Sequence, residues 1–405
     1  MRYAPALLAG LLAGGPAQAQ EVTVKPSADV RLRYEHVDQD GLAEQADALT
    51  LRVRPGVTLA SGEWSALVEG EATIALIEDY NSGTNGRIAY PMVLDPPNLE
   101  LNRAQIRYAG KGLGMTAGRQ RIELFDQRFI GSSGWRQNEV TYDAVRVQIG
   151  KPIGLSADVT YAWNVLTVNG RNGTGARPQA IGGDNVFAML NYGTKAGTLS
   201  AFAYLVDQDE AAVQGYRLSS QTLGLRFAGA QPIGKDVKLG YVASWARQSD
   251  YHRNPNDYSA DYWLGELSLT ARGLTATAGY EVLGADRGPN GGVALTSVQT
   301  PLGATFRFGG WAGKFGSTPP NGLHDLYGTL GYSWKKVLGA DAITLSAVYH
   351  RFDSDRLGQH YGDELDLLAT VKLGRATLSA RYAHYKAGAF ATDTDKAWLQ
   401  LDWAL

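Results

Sequence analysis

The chain has 405 residues, 49 of them glycine, 21 Tyr and 9 Trp, no cysteine, and a formal charge of −2 from 38 basic and 40 acidic side chains. So small a net charge leaves no basic footprint for nucleic acid, and a hydrophobic content of 44% excludes a disordered chain. Beyond the N-terminus no run reaches the roughly 18 apolar residues of a membrane-spanning helix, which excludes a helical membrane protein as well.

Residues 1–19 carry a basic Arg2, an apolar run from Ala4 to Ala13 and the small-x-small pattern Ala17-Gln18-Ala19. This predicts a secretory signal peptide, because the apolar core is too short to span a bilayer. Residues 20–405 are then the mature chain, a single domain. Exported proteins usually carry disulfides. A cysteine-free one needs another way to protect its fold, and closing every strand edge provides it.

From Val30 onward apolar and polar residues alternate in runs of about ten. Val30-Arg31-Leu32-Arg33-Tyr34-Glu35 and Leu49-Thr50-Leu51-Arg52-Val53-Arg54 open the series, each with one aliphatic face. Period two means strand. Further runs lie at Leu155 to Trp163, Val237 to Trp245, Leu274 to Val282, Ile343 to Tyr349, Leu365 to Val371, Ala376 to Tyr382 and Ala397 to Leu405. With weaker members the count is about eighteen, or roughly 21 residues per strand and connection, which suits an all-β transmembrane antiparallel barrel.

Connection lengths alternate along the chain. Tight links at Ser61-Gly62, Gly110 to Gly112, Gly150 to Gly154, Gly193 to Gly197, Arg272-Gly273 and Gly374-Arg375 are interleaved with polar stretches. The long ones run near 77–98, 123–137, 166–183, 207–219, 248–260, 284–325, 352–362 and 386–395. One end of such a barrel is trimmed and the other shaggy, as in outer-membrane barrels with short periplasmic turns and long extracellular loops. A soluble sandwich has no reason to sort its loops this way.

The face opposite the aliphatic one carries Ser156, Asp158, Thr160, Asn164, Thr275, Thr277, Glu281, Glu364, Asp366, Gln400 and Asp402, which describes a wet lumen. Tyr and Trp collect near strand ends, where their amphipathic rings suit the headgroup level. The same phase sends Arg31, Arg33, Arg52, Arg54, Arg103, Arg107 and Arg146 inward along the first strands, against Asp29, Glu35, Glu69 and Glu71. Later strands send Asp158, Glu266, Glu281, Glu364, Asp366 and Asp402 inward, against Arg226, Lys238, Lys372 and Arg381. An arginine wall suits passage of acidic solutes, because a guanidinium binds carboxylates bidentately and stays charged. The other reading is that inward charges pair across the lumen and keep it hydrated.

Arg119 and Arg121 share parity with Leu113, Met115 and Ala117, which would send them toward lipid at a cost of roughly 2–4 kcal/mol each at mid-depth. The expectation is a bulge at Gly118 that turns them inward; the other placement is the outer rim.

Enzymatic constellations are poor. The six histidines lack metal-ligand spacing, and no G-x-S-x-G elbow is present. No cofactor is expected. Acidic tips at Asp38-Gln39-Asp40, Asp207 to Glu210 and Asp393-Thr394-Asp395 are candidates for loop calcium or simply solvated. Two loops are too rich for plain links: 125–136 mixes Arg128 and Arg136 with aromatics, and 284–325 contains Gly309-Gly310-Trp311 and Pro319-Pro320-Asn321-Gly322. Long apolar loops fold onto something, so one or both are expected to dip into the barrel and narrow it.

Gly118-Arg119-Gln120-Arg121-Ile122, Asp126-Gln127-Arg128-Phe129, Gly134-Trp135-Arg136-Gln137 and Thr141 to Arg146 resemble the bacterial alginate-export family of outer-membrane porins. So do Gly279 to Gly284, Thr300-Pro301-Leu302, Gly310 to Phe315, Thr318 to Leu323, Asp325-Leu326-Tyr327 and Tyr361 to Asp366. The resemblance implies a monomeric eighteen-stranded barrel in the outer membrane bilayer, inserted by barrel-assembly machinery. It also implies a lumen lined by basic residues, constricted by inward-folded loops, and passing an anionic oligosaccharide or polysaccharide such as alginate. Carried over by position, Arg119, Arg121, Arg128, Arg136 and Arg146 line the conduit. Two departures stand out: Phe306-Arg307-Phe308 where the family commonly has His-Lys-Phe, and Gly313 where it has Asp. The competing functions are a general diffusion porin with little charge preference and a plugged-barrel enzyme or adhesin.

Overall fold

A computed structural model describes residues 21–209 and 215–405. The expected signal peptide and Glu210 lie outside the described residues. The first nine strands are β1 (Thr23–Gln39), β2 (Ala46–Ser61), β3 (Trp64–Asp79), β4 (Asn98–Gly110), β5 (Leu113–Gln120), β6 (Thr141–Gly150), β7 (Gly154–Leu166), β8 (Ala180–Gly193) and β9 (Thr198–Val206). The rest are β10 (Ser220–Pro232), β11 (Val237–Asp250), β12 (Ser259–Ala271), β13 (Leu274–Leu283), β14 (Leu323–Val337), β15 (Ala340–Asp353), β16 (His360–Leu373), β17 (Ala376–Ala387) and β18 (Thr394–Ala404).

Each strand pairs antiparallel with its sequence neighbours, and β1 pairs with both β2 and β18. The eighteen-stranded sheet is therefore closed and exposes no edge, which is how a cysteine-free barrel avoids strand-to-strand association. Every connection from β2–β3 to β16–β17 on one rim is a turn of two to four residues, whereas the opposite rim carries loops of six to thirty-nine. Two tight turns, 233–236 and 338–339, escape the sequence pattern. The second uses Leu338 and Gly339 at φ +52° and +79°, a primed turn with Leu where Asn or Asp usually advertises it.

Register fixes the two faces. Leu32 lies opposite Leu401 and Leu51, while Arg33 lies opposite Gln400 and Thr50. The aliphatic set, including Leu32, Ile106, Val159, Leu225, Leu267, Leu330 and Leu399, is exposed on the outside; Arg33, Arg52, Thr160, Glu364 and Asp366 are buried within. An apolar belt this continuous suits acyl chains and would aggregate in water. Tyrosines at the long-loop rim point outward and anchor their hydroxyls on neighbouring carboxylates: Tyr161 on Asp184 at 2.5 Å, Tyr349 on Asp363 at 2.7 Å, Tyr34 on Asp47 and Tyr382 on Asp395. His36 and His384 meet the same two aspartates at 3.0 and 2.9 Å.

The lumen is wet only in part. Toward the long-loop rim its wall carries Tyr142, Phe187, Phe202, Tyr204, Tyr262, Phe352, Tyr385 and Trp398, and these pack with Ile122, Leu124, Ile130, Leu302 and Phe315 from the loops into one apolar core. Alternation marks a residue as inward; it does not reveal whether water or a folded loop is there to meet it.

The expected bulge at Gly118 is absent. Gly118 has φ +108°, yet the ladders on both sides of β5 run through it without a shift. Arg119 stays in register with Ala104 and Asp143, in the outward phase of Ala117 and Val145. Bulges lie instead in neighbouring strands: Asn102 is the extra residue in β4, and Trp163 is the extra residue in β7, between Ala162 and Asn164. The β7 bulge matters most for this face. It turns Asn164 outward, to donate to Asp143 at 2.9 Å. An arginine at the outer girdle is tolerated because Asp143 accepts both its Nε and Nη2, at 2.8 and 3.0 Å.

Candidate functional site: a lumen crossed by two joined loops

The 121–140 and 284–322 loops both fold into the barrel and are bonded to each other. Ile130 and Leu302 form a bridge, Gly131 N–H donates to Leu302 O at 2.8 Å, and Ala304 N–H to Gln127 O at 3.0 Å. Trp135 of the first loop stacks on Phe306 of the second, centroids 3.9 Å apart and planes 7° from parallel. Phe306 is followed by Trp311, and Trp398 of the wall stands edge-on to both Trp135 and Phe306. Arg33 lies 4.1 Å from the Trp135 ring centroid, and Arg381 lies 4.3 Å from Trp135 and 4.8 Å from Trp311. Such cation–π contacts are strongest where water is excluded.

The first loop is held through its carbonyls. Arg31 donates to the carbonyl oxygens of Gly134 and Trp135, Arg33 to that of Trp135 at 2.5 Å, and Arg54 to that of Gln137 at 3.1 Å. Asp95, in the 80–97 loop, accepts Gln137 N–H at 2.8 Å and pairs with Arg33. On the other wall Arg128 meets Glu281 at 2.9 Å. The second loop is held through its amides: Ala312 N–H donates to Glu364 at 2.6 Å and Trp311 N–H to Asp366 at 3.3 Å. Gly310 makes this docking possible, since a Cβ there would fall 2.3 Å from the Glu364 carboxylate and its φ is +78°.

The sequence-predicted arginines fall into distinct groups. Arg52 pairs with Asp29, Arg54 with Glu71 and Glu139, Arg103 with Glu69, Arg121 with Glu139 and Arg146 with Asp158. Arg128 is joined to Glu281, which also accepts from Tyr262 at 2.8 Å. Arg119 alone is on the outward phase, because β5 is not bulged. Arg107 is exposed beside the short-turn rim, in a cavity shared with Gln148, Lys151, Asp158 and Asn191. Arg136 offers its carbonyl to Arg31 and Arg52, while its guanidinium has no bonded partner among the described residues. That charge is felt nearby: burial and then Arg136 pull Arg177, in the 167–179 loop, below its ordinary value.

Sequence reasoning left out Phe306, Arg307, Trp311 and Trp398 as site residues. A Gly-Gly-Trp inside a long loop hinted at docking; nothing in the sequence pairs Trp135 with Phe306. Lys314 is another addition. It donates to Gln39 at 3.3 Å, and burial together with Lys396 pushes it down to about 8, against the pull of Glu364 and Asp393. The acidic tips are engaged by protein donors: Asp38 by Gln45, Asp207 by His252, Asp209 by Arg253 and Asp393 by Ala387 N–H.

The family model described as Alginate export matches residues 23–249. A search of curated protein sequences returns no match. Among solved structures, Pseudomonas aeruginosa OpdO is similar at TM-score 0.67 and 16% identity, covering 94% of this chain and 97% of that one. Pseudomonas aeruginosa OccK9 (OpdG) gives 0.68 and 15% over 94% and 98%, and Acinetobacter baumannii OccAB4 gives 0.67 and 12% over 96% and 99%. At these identities the likeness is one of fold.

Proposed function

Because the chain belongs to the alginate-export family and is a porin-type channel of the bacterial outer membrane, we propose that it passes anionic sugars or a polyuronate such as alginate. The observation that carries this reading is the arginine wall of β1 to β6. Arg31, Arg33, Arg52, Arg54, Arg103, Arg107 and Arg146 face the lumen, and two inward loops narrow the path beside them. Near a low-dielectric constriction a fixed cation raises the local concentration of anions and lowers that of cations. Glu281 and Asp366 stand on β13 and β16, outside the arginine wall, so an acidic solute is drawn along the β1 to β6 side of the lumen. In this reading the barrel works as a monomer, is inserted by the barrel-assembly machinery, needs no cofactor and does no chemistry.

The purified barrel in a planar bilayer under a salt gradient tests it. The expected result is a reversal potential on the anion side and a current reduced by added oligouronate. A cation-side potential with no block overturns it. A second reading, a general diffusion porin with little charge preference, is favoured by one specific observation: most lumenal arginines already face a carboxylate within bonding distance, which leaves a small net field. A potential near zero would select that reading.

A further inference from the structure

The outer face of the barrel is not evenly filled. Across β14 to β17 the register sets outward-facing Ala347 between Leu330 and Leu367, and Ala369 between Leu345 and Ala380. Alanines stand here where the strands on either side carry leucine or tyrosine. They floor a groove of about 590 Å³, walled by Leu330, Tyr332, Leu367 and Tyr382. A groove in the apolar belt faces acyl chains and not water, so the chemistry that fits it is that of a hydrocarbon chain.

The short-turn end of the groove supplies the other half of the occupant. Tyr332 packs beside exposed Trp334, ring centroids 4.6 Å apart, and an indole in that place marks the headgroup level. Lys336 comes next on the outward phase, about 13 Å along β14 from Tyr332 at about 3.3 Å per residue. Its pairing with Asp341 is exposed on both sides, so a lipid phosphate competes for it at little cost. Asp341 also accepts Gly374 N–H at 2.8 Å, which brings the 374–375 turn and Arg375 alongside. Arg375 makes no ion pair among the described residues. The whole rim has the same sign: six of the eight short turns carry a lysine or arginine, and Glu63 and Asp236 are the only acids within them. Cations at the edge of a bilayer attract anionic headgroups.

We infer that this groove seats one acyl chain of an anionic phospholipid from the periplasmic leaflet, with the phosphate held by Lys336 and Arg375. Native mass spectrometry of the full barrel in non-ionic detergent tests it, with dioleoylphosphatidylglycerol as probe and dioleoylphosphatidylcholine as control. The two lipids share their chains and differ in headgroup charge. The phosphatidylglycerol adduct should be more abundant by about fivefold. Ala369→Phe, which fills the groove, should cut that adduct by about fivefold, and the same change at Ala117, an exposed alanine on the outward phase of β5, should leave it unaltered. Lys336→Gln with Arg375→Gln should bring the two lipids to about equal binding. Retained heat-modifiable migration shows that the variants fold. Equal binding of the two lipids by the wild type, an undiminished adduct in Ala369→Phe, an equal loss in Ala117→Phe, or an unchanged preference in the charge variant overturns the site. Should Ala369→Phe misfold, Ala347→Leu must still lose several-fold, or the site falls. A barrel dimer that Ala369→Phe dissociates would assign the groove to a second copy of the chain and overturn the lipid as well.

Discussion

The wall of β1 and β2 and the wall of β16 do the same job with opposite chemistry. The first presents guanidiniums and catches the carbonyls of residues 134–137; the second presents carboxylates and catches the amides of Trp311 and Ala312. A loop buried in a lumen must satisfy every backbone group it carries. A charged partner makes a stronger bond than a neutral one and tolerates the low dielectric. Part of the arginine ladder therefore positions a loop, and charge polarity within the lumen has a structural role that a count of inward charges does not disclose.

Removing one loop's tip has the largest expected effect. Deletion of residues 309–320 takes away the amides that β16 holds and unstacks Phe306 from Trp311, and single-channel conductance should rise by roughly twofold or more. Unchanged conductance would mean that this loop does not narrow the path. Next in size is Arg54→Ala. It leaves Glu71 and Glu139, both fully buried, without their shared cation, and stability in detergent should drop by about 3–5 kcal/mol, read as a lower unfolding temperature.

The acidic side is sharpened by Glu364→Gln with Asp366→Asn. Both side chains still accept, so the loop keeps its hydrogen bonds but loses their charge assistance, about 1 kcal/mol per bond. More frequent brief openings should follow, with mean conductance little changed; a trace as quiet as wild type would show that charge is not what holds this loop. The smallest effect is titration of Lys314. With its value pushed down to about 8, raising the pH from 7 to 9 removes a positive charge from the lumen, so anion preference should decline across that window and stay flat in Lys314→Met. The sign for stability follows from the same shift. A lysine depressed below its ordinary value makes the folded chain bind fewer protons than the unfolded one, so stability rises with pH between about 8 and the ordinary 10.5 and is flat beyond.

What the one-dimensional pattern determined is the barrel: strand count, the greasy outer face, the sorted rims and the inward set from Arg31 to Asp402, with Asn164 the exception, are all local, because alternation with period two is imposed residue by residue. The inward arginines were legible for the same reason. Tertiary structure decided everything that depends on distant segments meeting. Arg119 remained outward because both ladders of β5 run through Gly118 without a bulge. Most lumenal arginines were matched by carboxylates on neighbouring strands, at separations no spacing rule anticipates. The pairing of Trp135 with Phe306 followed from two loops that are far apart in sequence closing on one another inside the barrel. Loop closure of that kind is set by which buried backbone groups and rings find partners, a property of the folded whole.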